Sequence, residues 1–167
     1  MRVDFNISKD EQQKFAASCE AIIRNVGRGT KGATAEAIRT IMAAAQSETP
    51  VDTGNLVESI YGGTFRRIDV KGYIYGGVVG FGAFGEFSGG FATSTGIDWI
   101  KEPSDPINPK TGVRASQYAT RIHEDLNMYH SNGKAKFLED PVREYATSNF
   151  MRNNIRYWRE AIEESND

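Results

Sequence analysis

TPVDTGNLVESI (Thr49–Ile60) sets proline, aspartate, threonine, glycine and asparagine in close succession, then places Leu56 and Ile60 four residues apart. The stretch is too ordered in its chemistry for a linker and too polar for a core strand. Thr49-Pro50 stops a preceding helix, because the residue before proline avoids the helical region. Asp52 or Thr53 offers a side-chain oxygen to cap a new short helix. Gly54 and Asn55 permit a tight entry. Leu56 and Ile60 then share one face and dock that helix. The stretch is therefore expected to be a corner joining helix to sheet, and its readings on either side set the fold.

Upstream, Ser8 and Glu11 form a capping-box pair. Phe15, Cys19, Ile22, Ile23 and Val26 follow at helical spacing, with Gly27 and Gly29 read as the stop. A second helix is expected from Ala33 to Ser47, with Ile38, Ile41, Met42 and Ala45 on one face. VGRGTKG between them lacks the GxxxxGK[ST] pattern of a phosphate loop and has no strand before it, so it is read as a connection.

Downstream, from Ile60, aromatic and β-branched residues alternate with glycines. Tyr73, Tyr75, Val79 and Phe81 favour strand, and DVKGYI places a turn between two strands of an antiparallel hairpin. Residues 83–117 carry turn and breaker signals throughout, including Pro103, Pro106 and Pro109, and are expected to be a long loop excursion. Trp99 and Ile100 in its middle would anchor it or meet a partner. Asp140 as N-cap and Pro141 at the first helical position start a long last helix reaching Glu163. Val142, Tyr145, Met151, Ile155, Trp158 and Ile162 form its apolar stripe. The expected architecture is α+β and a single domain over 1–167: N-terminal helices, a small antiparallel sheet with a long loop excursion, and a long C-terminal helix.

The 167 residues suit one domain with its own core. A formal charge of −2 and a pI of about 5.8 give no electrostatic footprint for nucleic acid, and no sequence-specific nucleic-acid partner is expected. No apolar run approaches the ~20 residues a bilayer requires. The N-terminal residues lack the apolar stretch of a signal peptide. Neither a membrane nor a targeting role is expected. Cys19 is the only cysteine, which excludes an intrachain disulfide and suits a reducing compartment or an assembly without covalent staples. On its helical apolar face it is read as inert core.

Candidate chemistry is sparse. His123, Glu124 and His130 are the only group suggesting a metal, and their spacing is not that of an HExxH helix. Glu124-Asp125 could act as an acid/base pair but is better read as a solvated or salt-bridged face; Glu139-Asp140 is explained by capping. No serine lies in a GxSxG elbow. Neither a catalytic residue nor a cofactor or metal is assigned. Arg66 and Arg67, beside Phe65, suit an interface at least as well as nucleic acid, for which two arginines are too few against the acidic balance. Phe84, Phe87, Phe91 and Trp99 are large apolar residues in a turn-rich context, which marks them as candidate contact residues. Arg152, Arg156 and Arg159 are read as a solvated helix face, with a partner's acidic surface as the sharper alternative.

Two segments carry a resemblance. TPVDTGNLVESI is similar to the TPVDTG-x-L-x-x-SI signature of small head–tail joining proteins of tailed bacteriophages, the tail-completion or neck proteins. YATRIHED (Tyr118–Asp125), followed by GKAKFLEDPVREY (Gly133–Tyr145), resembles that family's Tyr-Ala-x-x-x-His-Glu stretch and its Lys-Phe-Leu-Glu lead into the last helix. The matching positions are Pro50, Asp52, Thr53, Gly54, Leu56, Ile60, Tyr118, His123, Glu124, Lys136, Phe137, Leu138 and Glu139. They cover about forty residues in the family's order; the aromatic-rich excursion over 83–117 departs from it. The resemblance implies a non-enzymatic structural protein of the virion neck, assembled in the host bacterial cytoplasm. It implies ring homo-oligomers that contact adaptor or stopper proteins on one side and tail terminator or tail tube proteins on the other. Another minor capsid or tail-associated role, and a small hydrolase using His123 and Glu124, are the competing readings. Within the motifs, Phe137 and Leu138 are expected to anchor the last helix. His123 and Glu124 are expected to fix the segment before it, with Lys134 and Lys136 exposed.

Overall fold

The computed structural model describes residues 8–69, 72–83, 96–127 and 132–164. Its elements are α1 (Lys9–Glu48), α2 (Asn55–Glu58), β1 (Ile60–Asp69), β2 (Gly72–Phe81), β3 (Ile97–Lys101), α3 (Ala115–Glu124), α4 (Glu139–Ser148) and α5 (Phe150–Glu163). The architecture is α+β, as the sequence pattern implies.

The two expected N-terminal helices are one, 40 residues long. The capping box at its start is as read: Ser8 Oγ accepts from the Glu11 N–H at 3.3 Å, and the Glu11 carboxylate accepts from the Ser8 N–H at 2.9 Å. The glycines read as its end lie inside it, and their cause is tertiary. A Cβ at Gly29 would stand 2.7 Å from the Tyr157 carbonyl oxygen; one at Gly32 would stand 2.8 Å from the Tyr157 ring. A Cβ at Gly27 would meet the Tyr75 hydroxyl at 2.7 Å. Close approach outweighs the roughly 1 kcal/mol that each glycine costs a helix. Thr49 does end the helix: its backbone is extended, and its hydroxyl donates to the Ala45 carbonyl at 2.6 Å.

The sheet is antiparallel in the order β2-β1-β3. The expected hairpin is present, with β1 and β2 paired from Ile60↔Phe81 to Asp69↔Gly72. One face turns toward α1, where Ile38, Met42 and Ala45 pack on Ile60, with Val79, Phe81 and Ile100 alongside. The opposite face carries Tyr61, Val78 and Ile97, flanked by Phe65 and Trp99. Glycine lets α1 lie close: a Cβ at Gly62 would sit 2.5 Å from the Met42 sulfur, and one at Gly77 would sit 2.5 Å from Ile38.

The expected excursion over 83–117 is less of a loop than its composition suggests. It contains β3, which pairs with β1 from Gly62↔Lys101 to Phe65↔Ile97 with a bulge at Gly62/Gly63. It also contains the start of α3. Asp105 caps that helix from eleven residues upstream, accepting from the Ser116 N–H at 2.8 Å and its hydroxyl at 2.7 Å.

The last helix is two. Thr147 and Ser148 hydroxyls donate to carbonyls one turn back, and Asn149 departs to φ −119°. A Thr-Ser-Asn run of weak helix formers breaks the helix there. Asp140 is not its N-cap either. Glu139 is already helical, Pro141 falls third, still within the first turn where its missing N–H costs nothing, and the Asp140 carboxylate pairs with Lys134 at 3.0 Å.

α5 lies antiparallel to α1. Glu36 accepts from Asn153 Nδ2 at 3.2 Å, from Arg156 at 2.5 Å and from the Tyr157 hydroxyl at 2.6 Å. Further toward the α1 N-terminus, Trp158 Nε1 donates to Thr30 Oγ1 at 2.9 Å. The expected apolar stripe is not the buried face. Asn154 and Ala161 are buried, whereas Val142, Met151, Ile155 and Ile162 are exposed. With Gly29 holding the two backbones together, small residues fill the contact and large ones are turned aside. Tyr145 of the expected stripe is buried.

Candidate functional site

The corner begins where α1 stops. Two segments far apart in sequence close on it. From one side comes the turn at 132–134: Asn132 Oδ1 accepts from the Val51 N–H at 3.2 Å, and the Lys134 N–H donates to the Glu48 carbonyl at 2.8 Å. Gly133 has φ +76°, and a Cβ there would lie 2.4 Å from the Pro50 nitrogen. Only glycine fits both the left-handed backbone and that approach. Lys134 adds an ion pair with Glu48 at 3.1 Å; its ammonium is held charged to higher pH, chiefly by Asp140 and then by Glu48.

From the other side comes the described part of the excursion, which wraps α2. Lys101 Nζ donates to the Glu58 carbonyl at 2.5 Å and Ser104 Oγ to the same oxygen at 3.3 Å. Asn55 Nδ2 donates to the Ile107 carbonyl at 2.6 Å, and Lys110 pairs with Asp52 at 2.6 Å. The expected cap by Asp52 or Thr53 is not made. α2 is a single turn entered through Gly54 at φ +82°, with no side-chain cap. The exposed Asp52 carboxylate is engaged by Lys110 instead.

Leu56 and Ile60 are both buried, in adjoining clusters. Leu56 packs with Ala119 and Phe137, and Ile60 with Ile38, Met42 and Ala45; Phe81 and Leu138 touch both groups. Half-buried Tyr118 joins the Leu56 cluster. Burial holds the Tyr118 hydroxyl above its ordinary range, with Asp52 and Asp105 adding to it.

His123 is buried on α3 with its ring edge-on to Phe137 at 5.0 Å. Its Nδ1 lies 2.7 Å from Glu124 Oε1, and its Nε2 accepts from the Glu139 N–H at 3.4 Å. Both contacts are met by the neutral tautomer with the proton on Nδ1. The Lys136 N–H donates to the His123 carbonyl at 2.8 Å, from a backbone at φ +57°. Lys136 is half-buried rather than exposed, and its ammonium bridges Glu124 and Glu139. That bridge lowers both carboxyls, Glu124 through Lys136 first and His123 second, and raises Lys136. His130 lies outside the described residues. Among the described residues no cluster of metal-ligating side chains occurs, and no helix is long and apolar enough to cross a membrane.

The candidate contact residues divide. Phe84, Phe87 and Phe91 lie outside the described residues. Trp99 is half-buried on β3, edge-on to Tyr61 at 5.8 Å, so its ring is engaged within the chain. Arg66 and Arg67 are exposed on β1, and Arg66 lines an open groove of about 710 Å³ between α1 and the sheet, together with Arg24, Arg28, Lys31 and Tyr75. Arg156, read as solvated, is clamped to Glu36.

Three structural residues escape the sequence reading: Glu36, Asp105 and Lys101. Asn55, read as easing a tight entry, also tethers the Ile107 carbonyl, a role an amide after a turn glycine is placed to fill. The others act over long separations that no local pattern reports. Cys19 is half-buried rather than core, on a part of α1 where Phe15, Ile22 and Ile23 are exposed.

Comparison of the chain with protein-family models, with curated proteins and with solved structures finds no match.

Proposed function

We propose that the protein is a structural subunit of the neck of a tailed bacteriophage, built into the virion as a ring of identical copies that joins the portal complex of the head to the tail. The observation that carries this reading is the meeting of the two motif segments. Gly133 and Lys134 seat on Glu48 and Pro50, and Phe137 seats on Leu56. Two short stretches that resembled a family by coincidence would have no reason to build one corner. Their union supports a shared structural unit and, with it, the neck assignment.

The same geometry favours assembly over catalysis. A hydrolase using His123 and Glu124 needs an imidazole nitrogen available to substrate. Here the ring is buried and both nitrogens are engaged. The proposed partners are further copies of the chain, adaptor or stopper proteins toward the head, and tail terminator or tail tube proteins toward the tail. Assembly takes place in the host bacterial cytoplasm.

The test is electron microscopy of lysates from a phage carrying this gene with an early stop codon. Filled heads beside separate, finished tails are the expected outcome. Complete infectious particles would remove the protein from the neck. Heads joined to defective tails would favour a tail-associated role instead.

A further inference from the structure

β2 and β3 are the two edges of the sheet, and only one of them is protected. β3 is short, pairs with β1 through a bulge, carries Asp98 and Lys101 and runs on to Pro103. Charge, bulge and proline are the devices that stop a sheet edge from pairing further. β2 has none of them. Its residues, GYIYGGVVGF, hold no charge and no proline, and they pair with β1 without a register shift. Among the described residues its backbone bonds to no segment but β1, so every second N–H and C=O faces outward. Gly77 at mid-strand is exposed. Ile74, which shares its face with Val78 on the side away from α1, is 40% exposed.

Such an edge takes an extended segment, and the chain carries one with the right pattern. Residues 1–7 precede the described part of the chain. Their sequence, MRVDFNI, sets Val3, Phe5 and Ile7 in alternation with Arg2, Asp4 and Asn6, the period of a strand with one apolar face. Laid beside Ile74, that apolar row prolongs the layer of Tyr61, Val78 and Ile97. Reach decides whose edge the arm meets. It enters α1 next to Lys9, about 27 Å along the helix from Gly27, where Tyr75 touches α1. Seven extended residues span at most ~25 Å. The arm therefore falls short of lying along its own β2, yet it is long enough to cover most of β2 in another copy.

We propose that residues 2–7 of one copy pair with the outer edge of β2 of the next, with Val3, Phe5 and Ile7 on the side away from α1. Backbone hydrogen bonds supply the attachment, and the apolar row fixes the face. The contact is heterologous: each copy gives an arm and receives one, so it repeats around a closed ring or along an open helix. It deepens the neck reading and rests on it only for its place in a virion.

The test uses full-length protein in which Cys19 is replaced by serine. V3C/C19S and I7C/C19S are mixed in turn with I74C/C19S and treated with a short bis-maleimide over a range of concentrations. The expected result is a crosslinked heterodimer in at least one mixture; coupling through position 7 reports an antiparallel arm, and through position 3 a parallel one. No heterodimer in either mixture sinks the contact. Crosslinking of V3C/C19S or I7C/C19S alone would mean that arm meets arm. Crosslinking of I74C/C19S alone would mean that two β2 edges meet directly. A crosslink within one chain of V3C/I74C/C19S or I7C/I74C/C19S would put the arm on its own strand. Each of these overturns the proposal. A second variant, V3D/F5D/I7D, is expected to keep its urea midpoint and to lose the self-association that the unsubstituted protein shows in sedimentation. Unchanged association would sink the contact, and a lowered midpoint would place the arm on its own body instead. A harmless stop codon in the phage would sink the neck reading, and the crosslinking would still decide this contact. Blocked joining without any heterodimer would sink the contact and leave the neck reading intact.

Discussion

Phe137 and Phe15 are the same side chain in opposite circumstances. Phe137 is wholly buried, wedged between Leu56, Ala119 and the His123 ring. Phe15 stands almost free on the first turns of α1. The corner around Phe137 is closed by backbone contacts from two distant segments, and its charges are paired. The N-terminal end of α1 has a capping box, an Asp10–Lys14 pair at 2.7 Å and the beginning of an apolar stripe, but no covering layer among the described residues. The contrast teaches that burial pattern separates residues serving this fold from residues available to something else, even where their hydropathy is identical.

The sharpest way to break the comparison is to truncate its buried member. Phe137→Ala is expected to cost about 3–5 kcal/mol, read as a lowered urea midpoint. A loss below about 1 kcal/mol would mean that the corner is loosely packed. Next comes the close approach of α1 and α5. Gly29→Ala gains helix propensity but drives a methyl onto the Tyr157 carbonyl, a backbone atom with no rotamer to escape into. The net expectation is a loss of about 1–3 kcal/mol; a gain in stability would show that the helices can separate cheaply.

Asn55→Ala removes the tether on the Ile107 carbonyl and is expected to cost about 1 kcal/mol. Faster hydrogen exchange over residues 107–110 should accompany it, since this bond and the Asp52–Lys110 pair tie that stretch to the corner. Smaller again is the pH response. Glu124 and Glu139 are held below the ordinary glutamate range by Lys136, so the stability they contribute is present above about pH 4.3 and is lost as pH falls through their lowered folded values. Lys136 is raised, so its share is present below about pH 10.4 and is lost as pH rises through its folded value. Glu124→Gln should flatten the acid limb of a melting-temperature profile below about pH 5; an unchanged limb would assign acid sensitivity elsewhere. Smallest is Phe15→Ser, expected to move the urea midpoint of the isolated protein by no more than about 0.5 kcal/mol.

What was legible in the sequence follows from range. The corner, the hairpin and the stop at Thr49 are local events governed by proline, glycine and strand propensity, and each lies where its residues put it. Gly27 and Gly29 misled because glycine has two uses, and the one in force depends on Tyr75 and Tyr157, which are distant in sequence. β3 was masked by the prolines that follow it at 103, 106 and 109, although Ile97 and Trp99 alternate with Asp98 in the manner of a short half-buried strand. The apolar stripe of the last helix faces inward only in part: Tyr145 is buried and Trp158 half-buried, while Val142, Met151, Ile155 and Ile162 are exposed. In the corner, the buried roles of Leu56, Ile60 and Phe137 were legible, and the pairing of Asp52 with Lys110 was not.

The glycines of α1 have a mechanical side. From Gly27 to Lys9 the helix extends about 27 Å beyond the point where Tyr75 and Tyr157 hold it. Gly29 and Gly32 are clamped against Tyr157, so the base of this arm is fixed by close approach and not free to hinge at those glycines. A tilt of about 10° at the base would sweep the tip sideways through about 5 Å. The glycines that admit a neighbouring helix so closely therefore set the direction in which the far end of α1 points.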